Sequence, residues 1–266
     1  APVEDPDATV KADLTFGGRV NLTGTAYDIG LSYLKTQDGG TDIEEATGVD
    51  FVLTPSATFS IYGSAEYEMV DGGLGQIHTA IRIGPYGNLV FTPEVTWQDY
   101  RHLFSYSTEP GLFSQVDPQE KVLQWGTSVE YLAGENLTVT GELKKLDYDI
   151  KDSAMLYGAG LRFIGSEGSS SAGLSLERLQ GGSDKDKYTF LRAYGSMSLW
   201  RLLLACDLSM TSYDKAIYGV KTSYSVTGTI GAVVSRMVTV SADAQYSKNP
   251  YYDKEYRYLA KVKIRI

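Results

Sequence analysis

The chain has 266 residues, a formal net charge of −9, one cysteine and two histidines. A single cysteine excludes an intrachain disulfide and a metal site built from several cysteines, and the acidic charge argues against a nucleic-acid partner, which would require a basic surface. A helical membrane protein is also excluded, because no stretch approaches the ~20 consecutive apolar residues that a membrane helix needs.

Alternation of apolar and polar residues runs through most of the chain, and helical periodicity is almost absent. It is clear over residues 57–69, 89–98, 202–211 and 238–247, and most regular over 255–266. Successive side chains of a strand point to opposite faces of a sheet. Each of these segments therefore predicts a strand with one apolar and one polar face.

In chain order, this alternation predicts about 14 strands, with 16 as the alternative, in an all-β, closed antiparallel barrel. Short connections alternate with longer, more acidic loops, which we place at 36–48, 101–119, 181–187 and 247–254. The predicted strands lie near 24–35, 48–54, 57–69, 76–84, 88–100, 121–132, 137–148, 154–164, 171–179, 187–198, 202–212, 218–234, 237–247 and 255–266.

Residues 1–22 stand apart from this count. Val10, Leu14, Val20 and Leu22 belong to a further alternating pattern. The sequence leaves two interpretations open, an N-terminal extension or an additional strand, and it assigns residues 23–266 to the barrel.

The distribution of charge separates a membrane barrel from a soluble β-sandwich, which also has one apolar face per strand. Charged residues lie on the less apolar side of most strands, as expected where the other side contacts lipid, because an Arg or Lys facing lipid costs ~2–4 kcal/mol at mid-membrane. Aromatic residues gather at strand ends, as in the interfacial belts of membrane proteins. They are Tyr27, Tyr33, Tyr67, Trp97, Trp125, Tyr131, Trp200, Tyr246, Tyr251, Tyr252 and Tyr256.

The segment 256–266 resembles the C-terminal strand signal of bacterial outer-membrane proteins, with apolar residues at alternate positions back from the end. The segments 50–59 and 235–240 look like the periplasmic turns of porins. The resemblance implies the outer membrane of a Gram-negative bacterium, short periplasmic turns and longer extracellular loops. It also implies contact with the lipid bilayer and lipopolysaccharide. Monomeric channels of roughly 14 strands are the nearest in shape.

Charged residues on the polar side are the candidates for lining a pore, since about eight strands already suffice for an interior filled by side chains. A plug formed by 1–22 or 101–119 would change this expectation. The candidates are Glu66, Glu68, Arg82, Glu94, Glu130, Arg162, Arg192, Asp207, Asp243, Arg257, Lys261, Lys263 and Arg265.

The function predicted first is a pore for passive passage of ions or small solutes, without cofactor or metal. The alternative is a structural barrel that sheathes or scaffolds a periplasmic or lumenal protein, such as an electron-transfer cytochrome. An outer-membrane enzyme is the weakest interpretation, because nucleophilic catalysis needs a nucleophile, a base and an orienting group. No such set is visible around His78 or His102.

Overall fold

The computed structural model describes most of the chain as strands. The described residues are 14–70, 72–103, 119–165, 169–182, 187–235, 237–250 and 252–264. Among them, no helix is both long and apolar enough to cross a membrane.

Fifteen strands and one single-turn helix account for the regular structure of the described residues. The strands are β1 Leu14–Thr23, β2 Tyr27–Asp38, β3 Thr41–Ser56, β4 Phe59–Glu68, β5 Gly73–Tyr86, β6 Leu89–Asp99, β7 Lys121–Leu132, β8 Leu137–Tyr148, β9 Ala154–Ile164, β10 Ser170–Gly181, β11 Tyr188–Leu199, β12 Leu202–Ile217, β13 Val220–Val233, β14 Val238–Lys248 and β15 Glu255–Ile264. The helix α1 is Tyr100–Leu103, at the start of the connection between β6 and β7.

The strands form one antiparallel sheet in which the spatial order is the chain order, β1 to β15. The all-β antiparallel fold predicted from the sequence is confirmed. β1 lies in the segment that the sequence left as an extension or an additional strand, and it pairs with β2 along its whole length. The described residues divide into two compact units: unit 1 comprises those within 1–82 and 94–124, and unit 2 comprises those within 83–93 and 125–266.

The prediction of a long loop at 36–48 is wrong, because β2 and β3 occupy most of this segment. They meet in a two-residue turn at Gly39 and Gly40, whose φ angles are 57° and 84°. Two central residues with positive φ are typical of the tight hairpin turn that suits strand twist. The acidic residues that suggested a loop pair instead along the hairpin, where Lys35 Nζ lies 2.7 Å from Asp42 and 3.0 Å from Glu45.

The register of the strands gives the sheet two chemically different faces. In unit 2, successive register partners from β8 to β15 form a row without a single charge: Val139, Leu161, Leu174, Ala193, Leu208, Val226, Tyr246 and Tyr256. The adjacent row points to the other side and carries polar groups: Thr138, Arg162, Gly173, Tyr194, Asp207, Thr227, Gln245 and Arg257. We call these the apolar face and the polar face.

The same division holds in unit 1. Val20, Leu31, Val49 and Ala65 are register partners on the apolar face, while Arg19, Ser32, Gly48 and Glu66 are partners on the polar face. Large apolar side chains remain exposed on the apolar face, with Val20 at 75% and Leu31 at 60%. Contact of this face with lipid rather than water accounts for their exposure.

A side chain at Gly126 on β7 would overlap the backbone of β8. A Cβ at this position would lie 2.6 Å from the backbone Cα of Lys144 on β8, whereas a Cβ at Gly228 on β13 would have no atom within 4 Å. Backbone atoms cannot move aside as a flexible side chain can, so Gly126 is required for the pairing of β7 with β8.

We therefore expect Gly126→Ala to lower the free energy of unfolding by about 1–3 kcal/mol, the typical result of overpacking. Gly228→Ala is the matched control and should be neutral or stabilising by less than ~1 kcal/mol, because it reduces the freedom of the unfolded chain. Urea titration in lipid vesicles measures both. Equal losses in the two variants would contradict the close approach at Gly126.

The assignment of faces is tested by placing one charge on either side of β12. Leu208→Arg puts a guanidinium on the apolar face and should destabilise the folded protein by ~2–4 kcal/mol in a bilayer. Ser209→Arg, one residue later, points to the polar face and should change the free energy of unfolding far less. A larger loss for Ser209→Arg than for Leu208→Arg would reverse the assignment.

Candidate functional site

The polar face of unit 2 has an ion pair near its middle. Arg192 on β11 places Nη2 2.5 Å and Nε 3.1 Å from Oδ2 of Asp207 on β12. The guanidinium also lies over the ring of Tyr194, 5.3 Å from its centroid, within the range of a cation–π contact. These three side chains fix one another's positions, yet the Arg192 side chain remains 50% exposed.

Charges on the C-terminal strand are mostly neutralised by neighbouring carboxylates. Lys261 lies 2.5 Å from Asp243 of β14, and Arg257 lies 2.7 Å from Glu255 on its own strand. Lys263 makes no ion pair within the part of the chain that the structure describes, and Arg265 lies outside the described residues. Of the basic residues that the structure describes on this strand, Arg257 and Lys261 are paired locally and Lys263 is not.

A third group of charges lies around Gly158 of β9. Gly158 has Glu142 and Glu177 as its register partners on β8 and β10. The Glu142 side chain covers the glycine so closely that a Cβ there would overlap it. Lys144 lies 3.0 Å from Glu142 and offsets one of the two carboxylates.

The polar face of unit 1 contains a network that spans three strands. Arg19 on β1 donates from Nε to Asn21 at 2.7 Å and from Nη2 to Asp50 on β3 at 2.7 Å. The guanidinium crosses over Gly30 of β2, where a Cβ would overlap it. Because two acceptors hold the guanidinium, its position on the wall is defined.

Next to this network lies a concavity of about 150 Å³. Ser32, Gly48, Asp50, Ser64, Glu66 and Gln76 contribute its polar lining. Further along the same face, Glu94 lies 3.9 Å from Nε2 of His78, whose ring centroid is 6.0 Å from that of Tyr62. This part of the wall combines carboxylates, hydroxyls, an amide and aromatic rings.

Glu68 occupies a different environment from the other predicted pore-lining residues. Its side chain accepts hydrogen bonds from the backbone N–H groups of Val70 at 3.1 Å and Glu45 at 3.4 Å, and the residue is only 2% exposed. The carboxylate therefore caps a strand end. Arg82 and Glu130 lie within β5 and β7 at alternating positions that match the polar face.

Arg19 and Asp50 lie on the polar face and were missed by the sequence reasoning. Arg19 was passed over because residues 1–22 were not counted as barrel, although its place between Gly18 and Val20 fits the alternation there. Asp50 lies inside a strand whose neighbours, Val49 and Phe51, are apolar. The period-two pattern could have found both.

The two histidines lie in separate surroundings within unit 1. His102 is 4.0 Å from Asp99, which also binds Arg101 at 2.7 Å and Lys121 at 3.5 Å. This cluster lies where β6 ends and β7 begins. In the described ranges, no group of three or more His, Cys, Asp or Glu residues is arranged to hold a metal ion.

The edges of the apolar face carry aromatic residues next to charged ones. Trp125 donates from Nε1 to Asp147 at 3.2 Å, and Lys145 lies 2.7 Å from the same carboxylate. Tyr224 and Tyr246 share a hydrogen bond of 3.3 Å between their hydroxyls. Rings with one apolar and one polar end are typical of the membrane–water interface.

No protein-family profile matches the chain, and no curated protein matches it. Solved structures do. A bacterial polysaccharide outer-membrane secretin superposes with a TM-score of 0.59 at 10% identity, over 96% of this chain and 91% of that one. OpdL of Pseudomonas aeruginosa gives a TM-score of 0.53 at 8% identity, over 94% and 91%.

A porin of Rhodopseudomonas blastica, in a mutant form, gives a TM-score of 0.52 at 10% identity, over 95% of this chain and 89% of that one. At identities this low, the similarity establishes a shared fold and does not identify the solute. The predicted fold class is confirmed, and the chain has the fold of the bacterial outer-membrane porins.

Proposed function

We propose that the chain forms a water-filled pore in the outer membrane, through which ions and small polar solutes diffuse passively. The observation that supports this most directly is the exposure of the polar face. The side chains of Arg192, Lys261 and Arg257 are 50%, 56% and 68% exposed even though each is ion-paired. An interior filled by packing would bury them, whereas a hydrated path leaves them in contact with water.

The charges of the polar face are also suited to influence which ions pass. Rows of charged side chains set ion preference in pores. Unit 1 presents Asp50, Glu66 and Glu94 with Arg19, whereas the C-terminal strand of unit 2 presents Arg257, Lys261 and Lys263. We infer that Lys261 and Lys263 favour anions where ions pass β15.

The proposal is tested by recording from the purified chain in a planar bilayer. A pore gives stepwise conductance in KCl with this chain alone. A sheath around another protein would instead co-purify with that protein and show no conductance of its own. Silent bilayers, with the protein demonstrably inserted and folded, would contradict the pore.

The contribution of β15 is tested by the double substitution Lys261→Glu and Lys263→Glu. We expect the reversal potential in a KCl gradient to shift toward that of a cation-preferring pore, because two cations are replaced by two anions beside Asp243. The double substitution Lys145→Glu and Lys151→Glu changes the net charge equally but alters no polar-face residue, since Lys145 borders the apolar face and Lys151 lies in the turn after β8.

This control should leave the reversal potential close to that of the unmodified protein. An unchanged potential in the conducting Lys261 and Lys263 variant would mean that ion preference is set elsewhere. Equal shifts in both variants would mean that total charge, rather than the position of the charge, is responsible.

A further inference from the structure

The concavity on the polar face of unit 1 has a floor of bare backbone. Gly48 lies at its base, where a Cβ would come within 2.8 Å of Oγ of Ser32. Gly30, beside it, leaves room for the guanidinium of Arg19 to reach Asp50. Gly48 therefore contributes backbone, and no side chain, to the lining of the space of about 150 Å³.

One side of the concavity is held in place before any solute arrives. Oδ1 of Asp50 accepts from Arg19, and Arg19 is itself oriented by Asn21. Ser32 donates to the carbonyl of Gly48 at 3.3 Å. Groups held in position by neighbouring side chains lose less conformational freedom when a ligand binds.

The other side presents polar groups that are available for bonding. Within the described residues, the carboxylate of Glu66 and the hydroxyl of Ser64 make no hydrogen bond. The amide oxygen of Gln76 accepts from Gln98 at 3.4 Å, which leaves the Gln76 amide NH₂ group as a donor. Acceptors from Glu66, a donor from Gln76 and a hydroxyl that serves as both therefore converge on one small space.

This set of groups favours a neutral, hydroxyl-rich solute over an ion. An anion would meet two carboxylates and only one guanidinium, already bound. A hard cation such as Ca²⁺ requires six to eight oxygen ligands, and it would also meet the positive charge of Arg19. Vicinal hydroxyl groups both donate and accept, so they match carboxylate, amide and serine groups together.

The size of the concavity also favours a solute with several hydroxyl groups. The concavity has room for on the order of five waters, at about 30 Å³ each. A solute with several hydroxyl groups can replace such waters and reproduce their hydrogen bonds, which a solute without them cannot do. Tyr62 and His78 lie next along the same face, two residues from Ser64 and Gln76, and offer ring surfaces to the carbon side of a sugar.

We propose that this concavity, as part of the proposed pore, is a binding subsite for a neutral polyhydroxylated solute of about the size of a monosaccharide. Asp50 and Glu66 accept hydrogen bonds from the solute's hydroxyl groups, the Gln76 amide donates one, and Gly48 gives the solute access to the wall. The subsite would slow the passage of such a solute and concentrate it at the wall of unit 1.

The test uses D-glucose as the probe with the full chain in planar bilayers. Glucose should lower the single-channel current in KCl in a saturable manner. The double substitution Ser64→Ala and Glu66→Ala should raise the half-saturating glucose concentration by about tenfold or more, since it removes hydrogen bonds including one to a charged group. Gly48→Val should also raise the half-saturating glucose concentration, because the valine side chain occupies the base of the concavity.

Ser225→Ala with Gln245→Ala is the matched control, because it removes a hydroxyl and an amide that bond to each other on the polar face of unit 2. It should leave the half-saturating concentration unchanged. A current that falls only linearly with glucose in the unmodified protein, as viscosity alone requires, would overturn the subsite. A half-saturating glucose concentration that is equal in the unmodified protein and in all variants would also overturn the subsite.

Binding is measured separately by saturation-transfer NMR of glucose with the solubilised protein. If the unmodified chain binds glucose but does not conduct, and the Ser64→Ala and Glu66→Ala variant no longer binds glucose, the subsite is supported and the pore is contradicted. Conductance without glucose binding would keep the pore and reject the subsite. Saturable reduction of the current by millimolar Ca²⁺, with no glucose signal in the NMR experiment, would identify a cation site instead.

Discussion

Register between neighbouring strands is the constraint on which the rest of the structure depends. The row from Val139 to Tyr256 is free of charge only because eight strands are aligned residue by residue. A slip of one residue in a single strand exchanges its two faces. In β12 it would move Asp207 to the apolar face and Leu208 to the polar face, with a cost of several kcal/mol in a bilayer. The apolar face thereby fixes the position of every polar-face residue as well.

The charged side chains of the polar face are placed by this alignment, and their own pairing contributes little to it. Exposed ion pairs such as Arg192 with Asp207 are worth about 0–1 kcal/mol. They are therefore poor candidates for holding the sheet together. Their exposure leaves them free to act on what passes along the face, which is the basis of the pore proposal.

Glycines shape the polar face in a recurring way. Arg19 lies over Gly30, Glu142 over Gly158 and Tyr194 over Gly173, in each case on a neighbouring strand where a Cβ would overlap the side chain. A long side chain that lies across such a gap stays flat against the wall and does not project from it. At Gly48 the neighbouring side chain is short, the hydroxyl of Ser32 on β2, and the concavity proposed as a solute subsite is found there.

The sequence by itself determined the fold class, because lipid on one side and water on the other impose a period of two that the residues display directly. It also placed Glu66, Arg192, Asp207 and Lys261 on the polar side, since face follows from parity along a strand. Tertiary structure decided which contacts each side chain makes with residues on neighbouring strands. The acidic segment 36–48 is a hairpin, turned at Gly39 and Gly40, in which Asp42 and Glu45 lie across from Lys35. The Glu68 carboxylate binds backbone N–H groups. The carboxylates that bind Arg19 and Lys261, Asp50 and Asp243, lie on other strands, at sequence distances that alternation along one strand does not encode.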